Sequence, residues 1–190
     1  MEEELFTISL TDVLSVKTSS LSRTHLGTIL QQLDEWLALS LVLLFEMGQR
    51  EKSRWFHYLK ALPTAFDTLM HWTGPELLEL RGCAVLDKIG KAEAEKIFTD
   101  QLLPIMKRNA YMFPQFQASA GVTSIDATLI KGAHAMATLI MAYAFDLEDE
   151  SDDMVSDDSS SIPSLPKGMV PLADMFNADG ERNNVRATVS

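Results

Sequence analysis

"KGMVPLADMFNADGERNN", residues 167–184, is the stretch on which the reading of this 190-residue chain turns. It is apolar up to Phe176 and then abruptly polar, with Asn177, Asn183 and Asn184 close together. The acidic, serine-rich tract DLEDESDDMVSDDSSSIPSLP stands before it. After it comes NVRATVS, in which Val185, Ala187 and Val189 alternate as in a strand.

Upstream of the acidic tract the chain is helical in character. Leu26, Ile29, Leu30, Leu33, Trp36, Leu37, Leu41 and Leu44 fall at helical spacing and predict a helix over residues 26–48, its second half buried on most sides. EKSRWFHYLKAL predicts another helix, ended by Pro63, and TAFDTLMHW a short one. TGPELLELRG carries Thr73 as N-cap, Pro75 in the first turn and Gly82 as the stop. Residues 84–109 continue helically, weakened at Gly90 and interrupted at Pro104, and YMFPQF is irregular. The strongest helix covers residues 124–145. Thr123 and Asp126 make a capping-box pattern, and Leu129, Ile130, Ala133, Met136, Ala137, Ile140, Met141 and Ala144 trace one core-facing stripe. At the other end of the chain, ELFTISL (residues 4–10) is expected to be a short strand. Two strand-like ends around a helical block suggest a small β unit with a helical insertion, although neither strand has an evident partner.

Composition excludes several classes. The net charge of −11 includes eight acidic residues between Asp146 and Asp158, and the rest of the chain keeps only −3 of it. The tract is too polar to offset its ordering entropy and is expected to be a disordered loop. No cluster of Lys and Arg marks a nucleic-acid footprint. The longest apolar run, WLALSLVLLF, is about half of the ~20 residues a bilayer span needs. The start MEEE has the wrong charge for a secretory or mitochondrial presequence. One cysteine, Cys83, rules out a disulfide framework and fits a reducing, nuclear or cytoplasmic setting rather than secretion; it reads as a small buried hydrophobe. His25, His57, His71 and His134 lack metal-ligand spacing, and there is no CxxC, HExxH, GxSxG or phosphate-cradling glycine loop. Of the four, His134 falls in the strongest helix, in a structural or surface role. Trp55, Phe56 and Tyr58 are expected to pack inward.

MVPLADMFNADGERNN resembles the motif of SET-domain lysine methyltransferases, an Asn-His followed six residues after the Asn by a second Asn. The preceding PLAD is similar to the branch of the plant Rubisco large-subunit methyltransferase, and the Ala after the first Asn to fungal ribosomal-protein lysine methyltransferases. Further segments look like the same branch in order: EEELFTISLTDVLSV, LVLLFEMGQREKSRWFHYLKALP, ELLELRGCAVLDKI and HAMATLIMAYAFDL. The resemblance implies an α+β, mostly helical fold, a large helical insertion between short strands of a partial SET β-core. Its parts are a core strand and loop over 1–24, the insertion over 25–145, the acidic loop over 146–166 and the Asn-motif core segment over 167–190.

The resemblance also implies S-adenosylmethionine as methyl donor and a protein partner with a target lysine, a ribosomal protein being the candidate. Charge and hydropathy, for their part, lead to the expectation of no direct nucleic-acid or membrane partner. Asn177, Ala178 and Asn183 match the donor-binding motif, and Ala142 and Tyr143 stand where many members place a Ser-Arg pair, so Tyr143 joins the donor side. Asp174, Met175 and Phe176 match positions lining the substrate side. Members also have a Gly-x-Gly loop before the ELFTI-like strand and a tyrosine after the Asn motif; both are expected to lie outside this chain. No catalytic residue is therefore expected within it, and the chain is expected to be incomplete at both ends and inactive alone. A non-enzymatic, SET-derived helical interaction module is the alternative.

Overall fold

A computed structural model describes residues 4–116, 124–147, 166–176 and 181. The chain divides into two compact units, Met1–Leu39 with Ala142–Ser190, and Ser40–Met141.

The first unit is built on a three-stranded antiparallel sheet in the order β1-β3-β2: β1 is Leu14–Ser15, β2 Ala144–Asp146 and β3 Lys167–Met169. Leu14 and Ala144 both face Met169 across the ladders, and Phe145 faces Gly168. Gly168 sits at a tight point of the sheet. A Cβ there would lie 2.7 Å from Val13 Cγ1 and 2.8 Å from Leu147 Cδ1. Lys167 pairs with Asp146 at the outer end of the β2–β3 ladder. After β1, Thr18 donates its hydroxyl to the Val13 carbonyl at 2.6 Å and closes the turn into a 3₁₀ segment, Ser20–Arg23. The short helix α1, Gly27–Leu30, follows.

Three expectations change here. Residues 4–10 are not a strand: no described strand pairs with them, Leu5 and Leu10 are exposed, and their polar groups bond locally, Thr7 Oγ1 to Glu4 Oε1 at 2.6 Å. A strand needs a neighbour to complete its backbone bonds, and the pairing falls on residues 14–15 instead. The helix over 26–48 is two helices, α1 and α2 (Glu35–Gln49), because Asp34 Oδ1 accepts from the Trp36 N–H at 2.9 Å and starts a new one. The final helix ends at Tyr143, and Phe145 belongs to β2, where β3 supplies the backbone partners. The alternating segment after Asn184 and most of the acidic tract lie outside the described residues.

The second unit is helical. Within α2 every residue from Leu37 to Glu46 is buried, as the continuous apolar run requires. Buried Glu46 accepts from Ser53 Oγ at 2.7 Å, which meets part of the cost of burying a carboxylate. Helix α3, Phe56–Ala61, ends before Pro63; Trp55 is buried beneath Arg54, while Phe56 and Tyr58 are half-buried. TAFDTLMHW is a turn-rich loop, closed by Trp72 Nε1 donating to Asp67 at 3.1 Å. Helix α4, Gly74–Leu78, begins as expected: Glu76 Oε2 accepts from the Thr73 N–H at 2.6 Å and from its hydroxyl at 2.7 Å. Helix α5, Lys91–Ile97, follows Gly90 at φ 68°.

Phe98–Leu102 widens into a π turn before α6, Leu103–Arg108. Pro104 explains the widening, since it has no N–H and its ring would strike the carbonyl four residues back. Helix α7, Ile125–Tyr143, buries Leu129, Ala133, Met136, Ala137 and Ile140 as its stripe predicts. Met141 departs from it at 78% exposure. Gly132 lets α7 approach: a Cβ there would stand 2.9 Å from the Phe116 ring and 3.3 Å from Leu44 Cδ2. Thr123 lies outside the described residues, and Asp126 pairs with Lys107 at 2.6 Å. Residues 63–97 hold no buried side chain, which leaves Cys83 exposed rather than buried. Among the described residues no helix is long and apolar enough to cross a membrane, and no group of three His, Cys, Asp or Glu could hold a metal.

Candidate functional site

The sheet register decides what meets at its end. Leu14 and Ala144 are the partners of Met169. The chain before β1, the end of α7 at Tyr143 and the segment after β3 therefore leave the sheet at one end. That segment is the PLADMF part of the opening stretch. Val170 follows buried Met169, and the backbone then turns sharply at Leu172, whose φ is 75°. A side chain rarely accepts this conformation, which costs of order 1–3 kcal/mol. The turn is closed behind it. The Asp174 N–H donates to the Val170 carbonyl at 3.3 Å, and Met175 and Phe176 donate to Leu172 and Ala173, each at 3.2 Å. Ala173–Met175 is one turn of 3₁₀ helix.

Three side chains named from the sequence stand on this turn. Asp174 is half-buried, Met175 is 75% exposed and Phe176 is 49% exposed. Phe176 stacks on Phe6, with ring centroids 5.7 Å apart and planes 15° from parallel. Tyr143, half-buried, enters from the α7–β2 junction. So Tyr143, Asp174, Met175 and Phe176 come to the same end of one small sheet. Asn177, Ala178 and Asn183 lie outside the described residues. Phe6 is not among the residues the sequence points to, because the composition of its segment suggests a strand. The signal available was a bulky aromatic in a segment without a partner. This end of the sheet presents exposed apolar surface, a half-buried acid and a backbone held in a rare conformation.

No family model matches the chain. Ribosomal lysine N-methyltransferase 4 of Saccharomyces cerevisiae is 30% identical over 200 residues, covering 98% of this chain and 39% of that protein. The chloroplastic ribulose-1,5 bisphosphate carboxylase/oxygenase large subunit N-methyltransferase of Nicotiana tabacum is 25% identical over 101 residues, 52% of this chain and 20% of that protein. Among solved structures, the SET domain of LSMT bound to methyl-lysine and AdoHcy superposes with a TM-score of 0.62 at 20% identity, over 92% of this chain and 34% of that one. Rubisco LSMT bound to AdoMet gives 0.56 at 22% identity, over 92% and 34%. The chain thus spans well under half the length of the relatives it matches. It has the SET-domain fold, mostly helical with a small sheet, and is a homologue of the SET-domain protein-lysine methyltransferases in the Rubisco large-subunit methyltransferase-like branch.

Proposed function

We propose that the protein containing this chain is an S-adenosylmethionine-dependent protein-lysine N-methyltransferase with a ribosomal protein as substrate, working in the cytoplasm or nucleus. The observation that carries this reading is the match along 98% of the chain to a ribosomal lysine N-methyltransferase. The chain spans 39% of that relative, and in this reading residues 1–190 alone are inactive.

In this reading two sets of residues have separate roles. Asn177, Ala178, Asn183 and Tyr143 hold the donor, where asparagine amides can pair with an adenine edge. Asp174, Met175 and Phe176 face the acceptor lysine. Transfer is an in-line displacement. The amine nitrogen forms a bond to the methyl carbon, the carbon–sulfur bond breaks with its electron pair passing to sulfur, and the amine gives up a proton to water. Only the neutral amine has a lone pair to attack with, and an apolar wall favours that form by desolvation. Orientation supplies much of the remaining acceleration. A rigid turn behind Met175 and Phe176 suits that task.

The test is methyl transfer from radiolabelled S-adenosylmethionine to total ribosomal protein, by the full-length protein and by residues 1–190. Transfer by the full-length protein alone is expected, abolished by Asn177→Ala. No transfer to any protein from the full-length form would end this reading. A second reading, a non-enzymatic interaction module, is favoured by residues 63–97, where apolar side chains are half-exposed and none is buried. It requires a bound partner that survives Asn177→Ala in a protein without transfer activity.

A further inference from the structure

The stacked pair Phe6–Phe176 carries an inference that rests on the methyltransferase reading and deepens it. Two large apolar rings stay 43% and 49% exposed at the sheet end while stacked on each other. Their arrangement differs at the two ends. Phe176 is held from behind by the 3₁₀ turn and the strained Leu172, but no backbone bond fixes the direction of its ring. Phe6 comes from an irregular segment, one residue before Thr7 ties back to Glu4. A ring that is half in water samples several rotamers unless a neighbour selects one. Phe6 is that neighbour. A near-parallel stack at 5.7 Å restricts the Phe176 ring and extends its apolar surface.

We propose that Phe6 is a positioning residue: its stack on Phe176 holds a flat apolar wall for the aliphatic stem of the target lysine, and so sets the enzyme's grip on its protein substrate. Phe6 acts through Phe176 and touches no reacting atom. The wall presents hydrocarbon rather than charge, so it recognises the lysine stem and not the methyl donor's polar groups. Loss of the stack therefore weakens acceptor binding selectively.

The experiment measures steady-state methyl transfer by the full-length protein to total ribosomal protein, for wild type, Phe6→Ala, Phe6→Leu and Phe6→Tyr, with melting temperatures recorded alongside. Phe6→Ala and Phe6→Leu are expected to raise the acceptor concentration for half-maximal rate about three- to tenfold, the weight of one aromatic pair. KM for S-adenosylmethionine should stay unchanged, and Phe6→Tyr should behave within about twofold of wild type, since it keeps the ring. Phe6→Leu keeps the apolar volume without the ring, so it decides the matter if Phe6→Ala does not fold. Unchanged acceptor KM in a folded Phe6→Leu protein overturns the proposal, as does an equal rise for donor and acceptor. A wild-type protein that transfers no methyl fails at the methyltransferase reading itself, and the inference falls with it.

Discussion

His134 is an ionisable side chain inside the second unit, and its surroundings make it a reporter of pH. Its ring meets the edge of Phe98 at 5.0 Å and lies 6.3 Å from His71, and its Nε2 stands 3.5 Å from the Glu95 carboxylate. Burial holds its pKa below the ordinary 6.5; Glu95 pulls upward, while Lys91 and His71 push down. His71 is also held low, first by burial and then by Lys91 and Lys131. Thr138 donates its hydroxyl to the His134 carbonyl at 3.0 Å, so it accepts from His71 Nε2 at 2.8 Å, which gives His71 the Nε2–H tautomer.

Both folded-state pKa values lie under the unfolded one, so between them the unfolded chain binds more protons. The contribution of the two histidines to stability is fully present above pH 6.5 and is lost as pH falls below it. The melting temperature is expected to drop from pH 7.5 to pH 5.5, with His134→Phe removing up to about one proton from the slope. An equal slope in that variant would exclude the assignment. Neither partner of His134 was visible in the sequence, because Glu95 and His71 reach it from segments far along the chain.

At the scale of elements, glycine positions make the sharpest tests. Gly132→Ala gains about 1 kcal/mol of intrinsic helix propensity. It also drives a methyl group to 2.9 Å from a buried Phe116 ring. An overpacked core costs about 1–3 kcal/mol, so the variant is expected to melt lower than wild type, against its propensity. In the sheet, Gly168→Val is expected to reduce soluble, folded protein sharply, because its Cβ would contact Val13 and Leu147 on either side; circular dichroism checks it.

Elements that depend on local chemistry were legible in the sequence. The Thr73–Glu76 cap, the stop before Pro63, the break near Pro104 and the buried stripe of α7 each follow from neighbours within a turn. Elements that depend on distant partners were not. The strand at residues 14–15 and the one at 144–146 exist because β3 lies between them. Residues 4–10 have better strand composition and no described strand beside them. The candidate site divides in the same way: its motif is legible as a resemblance, whereas the contact of Phe6 with Phe176 joins residues at opposite ends of the chain.

At the scale of the whole molecule, stability is unevenly spread. Burial is dense through α2, whereas residues 63–97 contribute half-exposed side chains at most. Local opening is cheapest where few apolar contacts must be broken. Limited proteolysis is therefore expected to cut first within residues 63–97, and hydrogen exchange there should outpace exchange in α2 and in the middle of α7. Protection across residues 63–97 equal to that of α2 would contradict this. The central place of β3 has one more consequence, in time rather than in space. On the ribosome β1 and β2 are made first, and the strand that joins them is made last. Closing Leu14 onto Met169 spans roughly 150 residues of chain, so the pairing is a late, non-local event. At about 5–20 residues per second, β1 waits roughly 8–30 s for its partner. A nascent chain arrested before Lys167 therefore carries two bare strand edges, and those edges are where a chaperone or a misfolding neighbour would find it.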